Sequence, residues 1–370
     1  MNKIKKILRF AHIYGMKRAI VKAIGRTRFP FSIPLLLAPF KMGQEKDIAI
    51  IGCGQFAFST IAFFLTKNLG KRIALCVDLD ITALSTFANC YGVTHRNLGR
   101  IDETCISKVK MVYIASNHAS HTDYALYFLS RGISVYIEKP ISVSQAQLAA
   151  LRKSIKNSSS SVYFGYNRPF SAAIQELTKH LRPKALTLNC IVIGHFISPD
   201  HWYRKPDEGT RVCGNLGHWI DLALHLIHAS GGSASFKITI AYSNETVSDD
   251  NLTVVLTTER GDLVTLTMTS REEPFEGINE TIIFQQEDLF VKIDDFRKAE
   301  FQQGAKKWVR KYKPKDVGHE RAIMQPYSGH QRDLEEVFMS TELMLHIMDM
   351  VKNRKINDYF YHRRCGVYRI

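Results

Sequence analysis

The sequence predicts an α/β domain with a doubly wound parallel sheet, followed by an α+β domain with a mainly antiparallel open sheet and helices on one face. Two observations predict this order. Short apolar runs alternate with helical periodicity over 46–165, which is typical of strand–helix–strand units. From residue 166 the alternation stops and strand-like runs follow one another over 166–355. We expect a basic extension at 1–45 and a basic tail at 356–370.

The predicted elements of the first domain come from these runs. Near-continuous apolar strands indicate burial on both faces of a parallel sheet. The predicted strands are 48–51, 72–77, 112–115, 134–137 and 162–164. The predicted helices are 56–69, 81–91, 121–130 and 144–155.

The second domain has a different pattern, in which turn residues separate successive strand-like runs. The predicted helices are 170–180, 217–229 and 335–351. The predicted strands are 185–197, 236–243, 252–258, 263–269, 281–285 and 289–293. We expect this sheet to join copies of the chain into a homo-oligomer.

Length and composition limit the class of protein. The chain has 370 residues, of which 45% are hydrophobic and 23% charged, and this mixture is typical of soluble globular proteins. The longest apolar stretches, such as 33–40, fall far short of the ~20 residues that a membrane-spanning helix needs. Seven scattered cysteines without a Cys-x-x-Cys pair favour reduced thiols and a cytoplasmic location.

The net charge of +15 is concentrated at the amino terminus, where residues 1–44 hold ten Lys or Arg and no Asp or Glu. Apolar residues at helical spacing over 3–24 predict basic amphipathic helices. Two alternatives stay open: the helices pack on the body or on a second subunit, or residues 1–28 contact the anionic inner face of a membrane. No nucleic-acid module accompanies the charge, and we expect no nucleic-acid partner.

A glycine turn at 52–57 predicts a dinucleotide site. Gly52 permits the tight turn, Gly54 lets a pyrophosphate approach the backbone, and Ala57 lets the following helix pack closely on the strand. Gln55 and Phe56 lie within the turn, where the helix amino terminus presents free N–H groups.

Asp78 ends the second predicted strand, where an acidic residue usually binds the adenosine ribose hydroxyls. Because a carboxylate repels a 2′-phosphate, the sequence favours NAD over NADP. The alternative is that Asp78 caps the next helix.

With these motifs in place, the chain resembles the Gfo/Idh/MocA oxidoreductases, the glucose–fructose oxidoreductase and inositol dehydrogenase family. Within the family it looks most like enzymes from bacterial surface-polysaccharide gene clusters. The resemblance rests on the glycine turn together with Met111–Asn117 and His121, Glu138-Lys139-Pro140, Gly165-Tyr166-Asn167-Arg168, and Gly217-His218-Trp219-Ile220-Asp221.

The resemblance implies that Ser116, Asn117, His121 and Glu138 contact the cofactor. It assigns Lys139, at the carboxyl end of a strand, to the cofactor and to the substrate oxygen. Without this context, Lys139 would be a solvated residue before a loop proline.

His218, at the start of the predicted helix 217–229, is the candidate acid/base, because imidazole titrates near neutral pH. Asp221 lies on the same helical face and either orients the imidazole or contacts substrate. Many members of the family carry aspartate four residues before this histidine, whereas this chain has Gly214, with Asn215 three residues before. An isolated histidine here would be a core or capping residue.

Substrate contacts are expected from Tyr166, Arg168, Trp202 and Asn215, in addition to Lys139 and His218. Arg168 suits a carboxylate or phosphate. Paired histidines such as 118/121 and 225/228 lack further ligands at a zinc spacing, and we expect no metal.

The sequence therefore predicts an NAD-dependent enzyme that oxidises or reduces a secondary hydroxyl or keto group of a nucleotide-activated or acidic sugar. Two alternatives stay open: a redox-neutral sugar-modifying enzyme with tightly bound NAD, or a binding protein that senses NAD or sugar without turnover.

Overall fold

A computed structural model describes residues 3–38, 45–232, 235–243, 249–271 and 278–361. They form two units, which are treated separately below. The first comprises the chain up to Ser171 with the later segments Pro206–Gly209 and Tyr312–Arg332. The second comprises Ala172–Lys205, Thr210–Lys311 and the chain from Asp333. Most of the predicted tail, 362–370, lies outside the described residues.

The helices are, in chain order, α1 (Lys3–Tyr14), α2 (Met16–Thr27), α3 (Ile33–Leu37), α4 (Ala62–Leu69), α5 (Ile81–Tyr91), α6 (Glu103–Ile106), α7 (His121–Leu129), α8 (Gln145–Lys156), α9 (Ala172–Thr178), α10 (Gly217–Ala229), α11 (His319–Ile323), α12 (Gln325–Ser328) and α13 (Leu334–Lys352). The strands are β1 (Ile48–Ile51), β2 (Ile73–Asp78), β3 (His95–Leu98), β4 (Met111–Ile114), β5 (Ser134–Ile137), β6 (Val162–Phe164), β7 (Thr187–Ile193), β8 (Ser235–Tyr242), β9 (Leu252–Thr257), β10 (Leu263–Thr269), β11 (Asn279–Gln286), β12 (Leu289–Asp294), β13 (Lys298–Gln303), β14 (Lys306–Lys311) and β15 (Asn357–Tyr361).

The first unit is built on a six-stranded sheet in the order β3-β2-β1-β4-β5-β6. Every neighbouring pair is parallel, with Ile50 of β1 opposite Cys76 of β2 and Tyr113 of β4. This is the Rossmann strand order, and its connections reverse direction between β1 and β4, where such sheets bind ligands. The predicted doubly wound parallel sheet is confirmed.

Side-chain caps begin several of the helices that connect these strands, including α5 and α8. The carboxylate of Asp80 accepts from the backbone N–H of Thr82 at 2.7 Å and starts α5. Ser144 starts α8 by accepting from Gln147 N at 3.2 Å. Such bonds satisfy backbone donors that have no partner within the helix.

The predicted helix 56–69 is regular only from Ala62. It begins with a π-helical turn at Ala57–Ile61, in which the Ser59 hydroxyl donates to the carbonyl of Gln55 at 2.8 Å. Such wider turns are rare and are often found beside functional sites.

The amino-terminal helices pack on the first unit. Val21 and Ile24 of α2 are buried in the same apolar cluster as Phe58. Gly25 lies so close to Phe58 that a methyl group at position 25 would be 2.7 Å from the ring. The described part of α2 therefore packs on the body of the protein, as the first of the two alternatives for this segment expects. Among the described residues, no helix has both the length and the apolarity needed to cross a bilayer.

The segment Tyr312–Arg332 returns to the first unit and covers the sheet at β4 to β6. The Tyr113 hydroxyl donates to the carbonyl of Ile323 at 2.7 Å, and the Gln325 amide donates to the carbonyl of Phe164 at 2.9 Å. Because these bonds are buried, they hold the segment firmly against the strands.

The second unit contains a nine-stranded sheet in the order β14-β13-β12-β11-β7-β10-β9-β8-β15. All neighbouring pairs are antiparallel except β7 and β10. Along β7, Leu188 and Val192 are buried, whereas Ile191 and Ile193 point to the exposed face. α10 and α13 pack together and contact strands of this sheet, so the mainly antiparallel prediction is confirmed.

Candidate functional site

The glycine turn has the geometry that a dinucleotide site needs. Gly52 has φ +90°, and a methyl group there would overlap the backbone of Ala115 at the end of β4. At Gly54, by contrast, no described atom lies within 4 Å of the position a methyl group would take. Gly52 is therefore required by the fold, while Gly54 leaves open space above the backbone.

Asp78 lies beside this turn. Its Oδ2 accepts from the backbone N–H of Cys53 at 2.6 Å, and its Oδ1 accepts from Asp80 N at 2.8 Å. Asp80, and not Asp78, caps α5. Asp78 thus holds a carboxylate at the end of β2, next to the glycine turn.

The two middle residues of the turn have different surroundings. The Gln55 amide donates to the carbonyl of Lys22 at 3.3 Å and so ties the turn to α2. Phe56 is 37% exposed, and its ring meets the ring of His319 edge-on, 5.6 Å between centroids. Ala57 is buried, as close packing of helix on strand requires.

The turn after β4 is held by a glutamate from a distant part of the sequence. The Asn117 amide donates to Glu208 Oε1 at 2.7 Å, and the backbone N–H of Ala119 donates to Glu208 Oε2 at 3.2 Å. Ser116 contacts Ser120 at 2.7 Å between hydroxyl oxygens. Glu208 was not predicted, because no local pattern links it to a turn about 90 residues earlier.

His121 joins two strand ends. Its Nδ1 lies 2.8 Å from the carbonyl of Pro140, and its Nε2 lies 3.1 Å from the carbonyl of Ser116. Burial is the main cause that lowers the pKa of His121. A neutral imidazole has one N–H, so it donates to one of these carbonyls at a time. The ring therefore positions the Lys139-Pro140 turn against the end of β4.

Glu138 and Lys139 form a coupled pair at the end of β5. The Glu138 carboxylate is buried and accepts from the Tyr136 hydroxyl at 3.2 Å and from Lys139 N at 3.1 Å. A methyl group at Gly165 would lie 2.8 Å from this carboxylate. The motif residue Gly165 is therefore explained by the space that Glu138 occupies.

Burial shifts the pKa values of both residues towards neutral pH, because it disfavours the charged form of each group. It raises the pKa of Glu138 to about 7, against the opposing effect of the Lys139 charge. It lowers the pKa of Lys139 to about 8, against the opposing effect of Glu138, while Arg168 lowers it further. The Lys139 amine can thus change protonation near physiological pH.

The motif after β6 supplies buried residues. Tyr166 is 1% exposed and Arg168 5% exposed. Arg168 Nη1 donates to Asn167 Oδ1 at 3.2 Å, and the Asn167 amide donates to the carbonyl of Val317 at 2.5 Å. Asn167 therefore anchors the returning segment, which carries His319. His319 was not predicted, because the sequence of 312–332 shows no motif.

The other predicted catalytic residues lie in the second unit. His218 is in the first turn of α10. Asp221 is buried, and its Oδ1 accepts from the Ser340 hydroxyl of α13 at 3.0 Å. His225 contacts Glu336 at 2.9 Å, which ties α10 to α13.

Asn215 and Trp202 complete the predicted set. Asn215 lies in a π-helical turn at Val212–Leu216, and its buried Oδ1 has no hydrogen-bond partner among the described residues. Trp202 is 39% exposed, and its ring lies 5.2 Å from the ring of Tyr203.

Gly214 is explained by the same tyrosine. A methyl group at position 214 would overlap the hydroxyl and the ring of Tyr203. Tyr203 therefore occupies the space that a side chain at position 214 would need. This position lies one helical turn before His218, and the resemblance implies aspartate there. Burial raises the pKa of the Tyr203 phenol, so this hydroxyl stays neutral and cannot replace a carboxylate charge.

We predict that Gly214→Ala destabilises the protein by about 1–3 kcal/mol, because the new methyl group displaces Tyr203. Urea denaturation measures the change in the free energy of unfolding. Tyr203→Ala should remove the clash, so that the double variant loses less stability than the two single changes together. Additive losses would show that the two residues do not compete for space.

Comparison with known proteins agrees with this geometry. Residues 46–166 match the model of the oxidoreductase family with an NAD-binding Rossmann fold, GFO_IDH_MocA. Oxidoreductase P35 of Formosa agariphila is 31% identical over 180 residues, 48% of this chain and 53% of the relative. Inositol 2-dehydrogenase 2 of Saccharopolyspora erythraea is 29% identical over 192 residues, 50% of this chain and 54% of the relative. The aligned part thus spans about half the length of each curated relative.

A structural likeness extends further along the chain. The WlbA dehydrogenase of Chromobacterium violaceum, solved with NADH and UDP-GlcNAcA, has a TM-score of 0.69 at 15% identity and covers 87% of this chain and 98% of its own. At this identity the likeness concerns the fold alone. Through its sheet order, its glycine turn and the match over residues 46–166, the first unit carries an NAD-binding Rossmann domain of the Gfo/Idh/MocA oxidoreductase type.

Proposed function

We propose that the protein is an NAD-dependent oxidoreductase that oxidises or reduces a secondary hydroxyl or keto group of a sugar. The observation that carries this proposal is the pair formed by the buried Glu138 and the half-buried Lys139 at the end of β5, in the same unit as the glycine turn. An amine whose pKa is lowered to about 8 is suited to bind an oxygen that gains negative charge during reaction.

The residues around the glycine turn fit a dinucleotide. The open space above Gly54 leaves room for a pyrophosphate close to the backbone. Asp78 lies where the adenosine ribose hydroxyls would bind, and its carboxylate disfavours a 2′-phosphate. We therefore propose NAD rather than NADP.

In the proposed mechanism, bound NAD supplies the hydride acceptor. Lys139 donates a hydrogen bond to the substrate oxygen and stabilises its negative charge. His218 takes the hydroxyl proton, and Asp221, held by Ser340, supports the helix turn that carries His218. In the reductive direction the same groups act in reverse.

We propose that the substrate is a nucleotide-activated or otherwise acidic sugar. The WlbA dehydrogenase, which shares the fold, is described with UDP-GlcNAcA. Arg168, whose guanidinium suits a bidentate contact with a carboxylate or phosphate, supports this class. Tyr166, Trp202 and Asn215 stay in the proposed substrate set.

We expect Gly54→Ala to abolish most NAD binding without destabilising the fold, because its methyl group meets no protein atom but occupies the open space above the turn. Calorimetric titration measures the affinity, and thermal denaturation without ligand measures stability. Wild-type protein should bind NAD more tightly than NADP. Gly132→Ala is the control for affinity, at a glycine with equally open surroundings but far along the chain; because Gly132 has φ +71°, this control should lose stability but keep NAD affinity.

Unchanged NAD affinity in Gly54→Ala would contradict the proposed site. Equal affinity of the wild type for NAD and NADP would contradict the proposed role of Asp78.

We predict that turnover falls as the pH rises through about 8, because Lys139 then loses the proton that stabilises the substrate oxygen. Below this pH the ammonium form dominates and the effect is absent. Lys139→Ala should lower turnover by at least about 100-fold, in line with the loss of one oxyanion donor, and leave NAD binding largely intact. The measurement is NADH formation from a panel of nucleotide sugars.

Undiminished turnover by Lys139→Ala would remove this residue from the mechanism. If NAD stays bound through purification and sugars are changed without net NADH, the redox-neutral alternative is correct. If NAD binds and no sugar is changed, the sensing alternative is correct.

We also propose a homo-oligomer formed through the exposed face of the second sheet. Apolar side chains lie on this face, including Ile191, Ile193, Leu263 and Phe290. We expect light scattering to show a dimer or larger species, and Ile191→Lys combined with Ile193→Lys to give monomers. A monomeric wild type would contradict this proposal.

A further inference from the structure

His319 is a partly exposed histidine whose Nδ1 is buried without a hydrogen-bond partner among the described residues. A buried polar atom without a partner lowers stability, and in native proteins such atoms often mark a functional role. The sequence gives no reason for a histidine at this position.

The ring of His319 is held in a defined place in the first unit. The residue before it, Gly318, has φ +86° and packs against the backbone of Asn167 and Ser171. On the other side, the ring meets Phe56 of the glycine turn edge-on, 5.6 Å between centroids. His319 therefore lies between the glycine turn and the chain that follows β6.

Cations dominate the surroundings of His319. Burial is the main cause that holds the pKa of His319 well below its usual range, and the charges of Arg18, Arg168, Lys139 and Lys315 lower it further. Arg18 is itself fixed by a bond from Nη2 to the Thr60 hydroxyl at 3.2 Å.

The carboxylates that flank His319 in the sequence are bound to other residues. Asp316 contacts Arg321, and Glu320 bonds Lys67 at 2.8 Å and Asn68 at 2.9 Å. His319 is thus a neutral imidazole, which has one donor and one acceptor. Because Nδ1 is buried without a partner in the described part of the chain, Nε2 is the ring nitrogen left to meet a ligand, and it is a donor in the tautomer that carries its hydrogen there.

A dinucleotide bound at the glycine turn would bring a ligand close to the His319 ring. The adenosine end belongs at Asp78 on β2, and the pyrophosphate belongs at the glycine turn. The remainder of the ligand would extend from the glycine turn towards Lys139 on β5. His319 contacts Phe56 of that turn and lies within electrostatic reach of Lys139.

We infer that His319 is a cofactor-binding residue whose Nε2–H donates a hydrogen bond to the nicotinamide carboxamide. The inference rests on the proposed binding of NAD. It identifies a contact from the returning segment, outside the matched range 46–166.

Calorimetric titration with NAD and with ADP-ribose tests it, because ADP-ribose has the same adenosine, pyrophosphate and second ribose but no nicotinamide. We expect His319→Ala to weaken NAD binding about three- to tenfold, because one hydrogen bond is lost. ADP-ribose binding should stay unchanged. His319→Gln keeps an N–H donor and should recover part of the loss. His330→Ala, at an exposed histidine of the same segment, is the control.

Equal weakening of NAD and ADP-ribose would overturn the inference, since the contact would then be to the shared part of the ligand. Unchanged NAD binding in His319→Ala, with the wild type binding normally, would also overturn it. If the wild type binds neither ligand, the proposed NAD dependence itself fails. Thermal denaturation of each variant verifies that it is folded.

Discussion

The buried carboxylate of Glu138 is the constraint on which the first unit's site depends. It fills the space beside Gly165, accepts from the Tyr136 hydroxyl and carries the adjoining Lys139 at the end of β5. A buried acid is costly unless a neighbouring cation offsets its charge. Burial moves both pKa values towards neutrality, and the closeness of Glu138 and Lys139 opposes this shift. The Asn167 amide, two residues after Gly165, anchors the returning segment through the carbonyl of Val317.

The sequence predicted those parts of the fold whose signal is local. The apolar strands β1, β2, β4 and β5 and the glycine turn were correct because burial on both faces and a tight turn each leave a pattern in adjacent residues. The strands β3, β13, β14 and β15 were missed, and the side chains of β3 and β14 are mostly exposed and show no alternation. Edge strands gain their stability from pairing, which composition does not record.

The site residues divide in the same way, into those with a local signal in the sequence and those without one. Lys139 and Asp78 follow strands and could be found from the sequence, whereas Glu208 and His319 reach the site from distant segments. Gly214 shows a further limit of sequence comparison. The sequence shows only that a carboxylate is missing there, whereas in the structure Tyr203 occupies the space, so an acid could not be accommodated without moving the tyrosine.

The close approach of Gly25 to Phe58 has a consequence for the evolution of this chain. The ring occupies the space that any larger side chain at position 25 would need, and Phe58 lies directly after the dinucleotide turn. Substitutions at these two positions are therefore coupled, and a descendant that enlarges one must reduce the other. The amino-terminal helix, which lies outside the matched range 46–166, and the domain within that range are therefore constrained together at this contact.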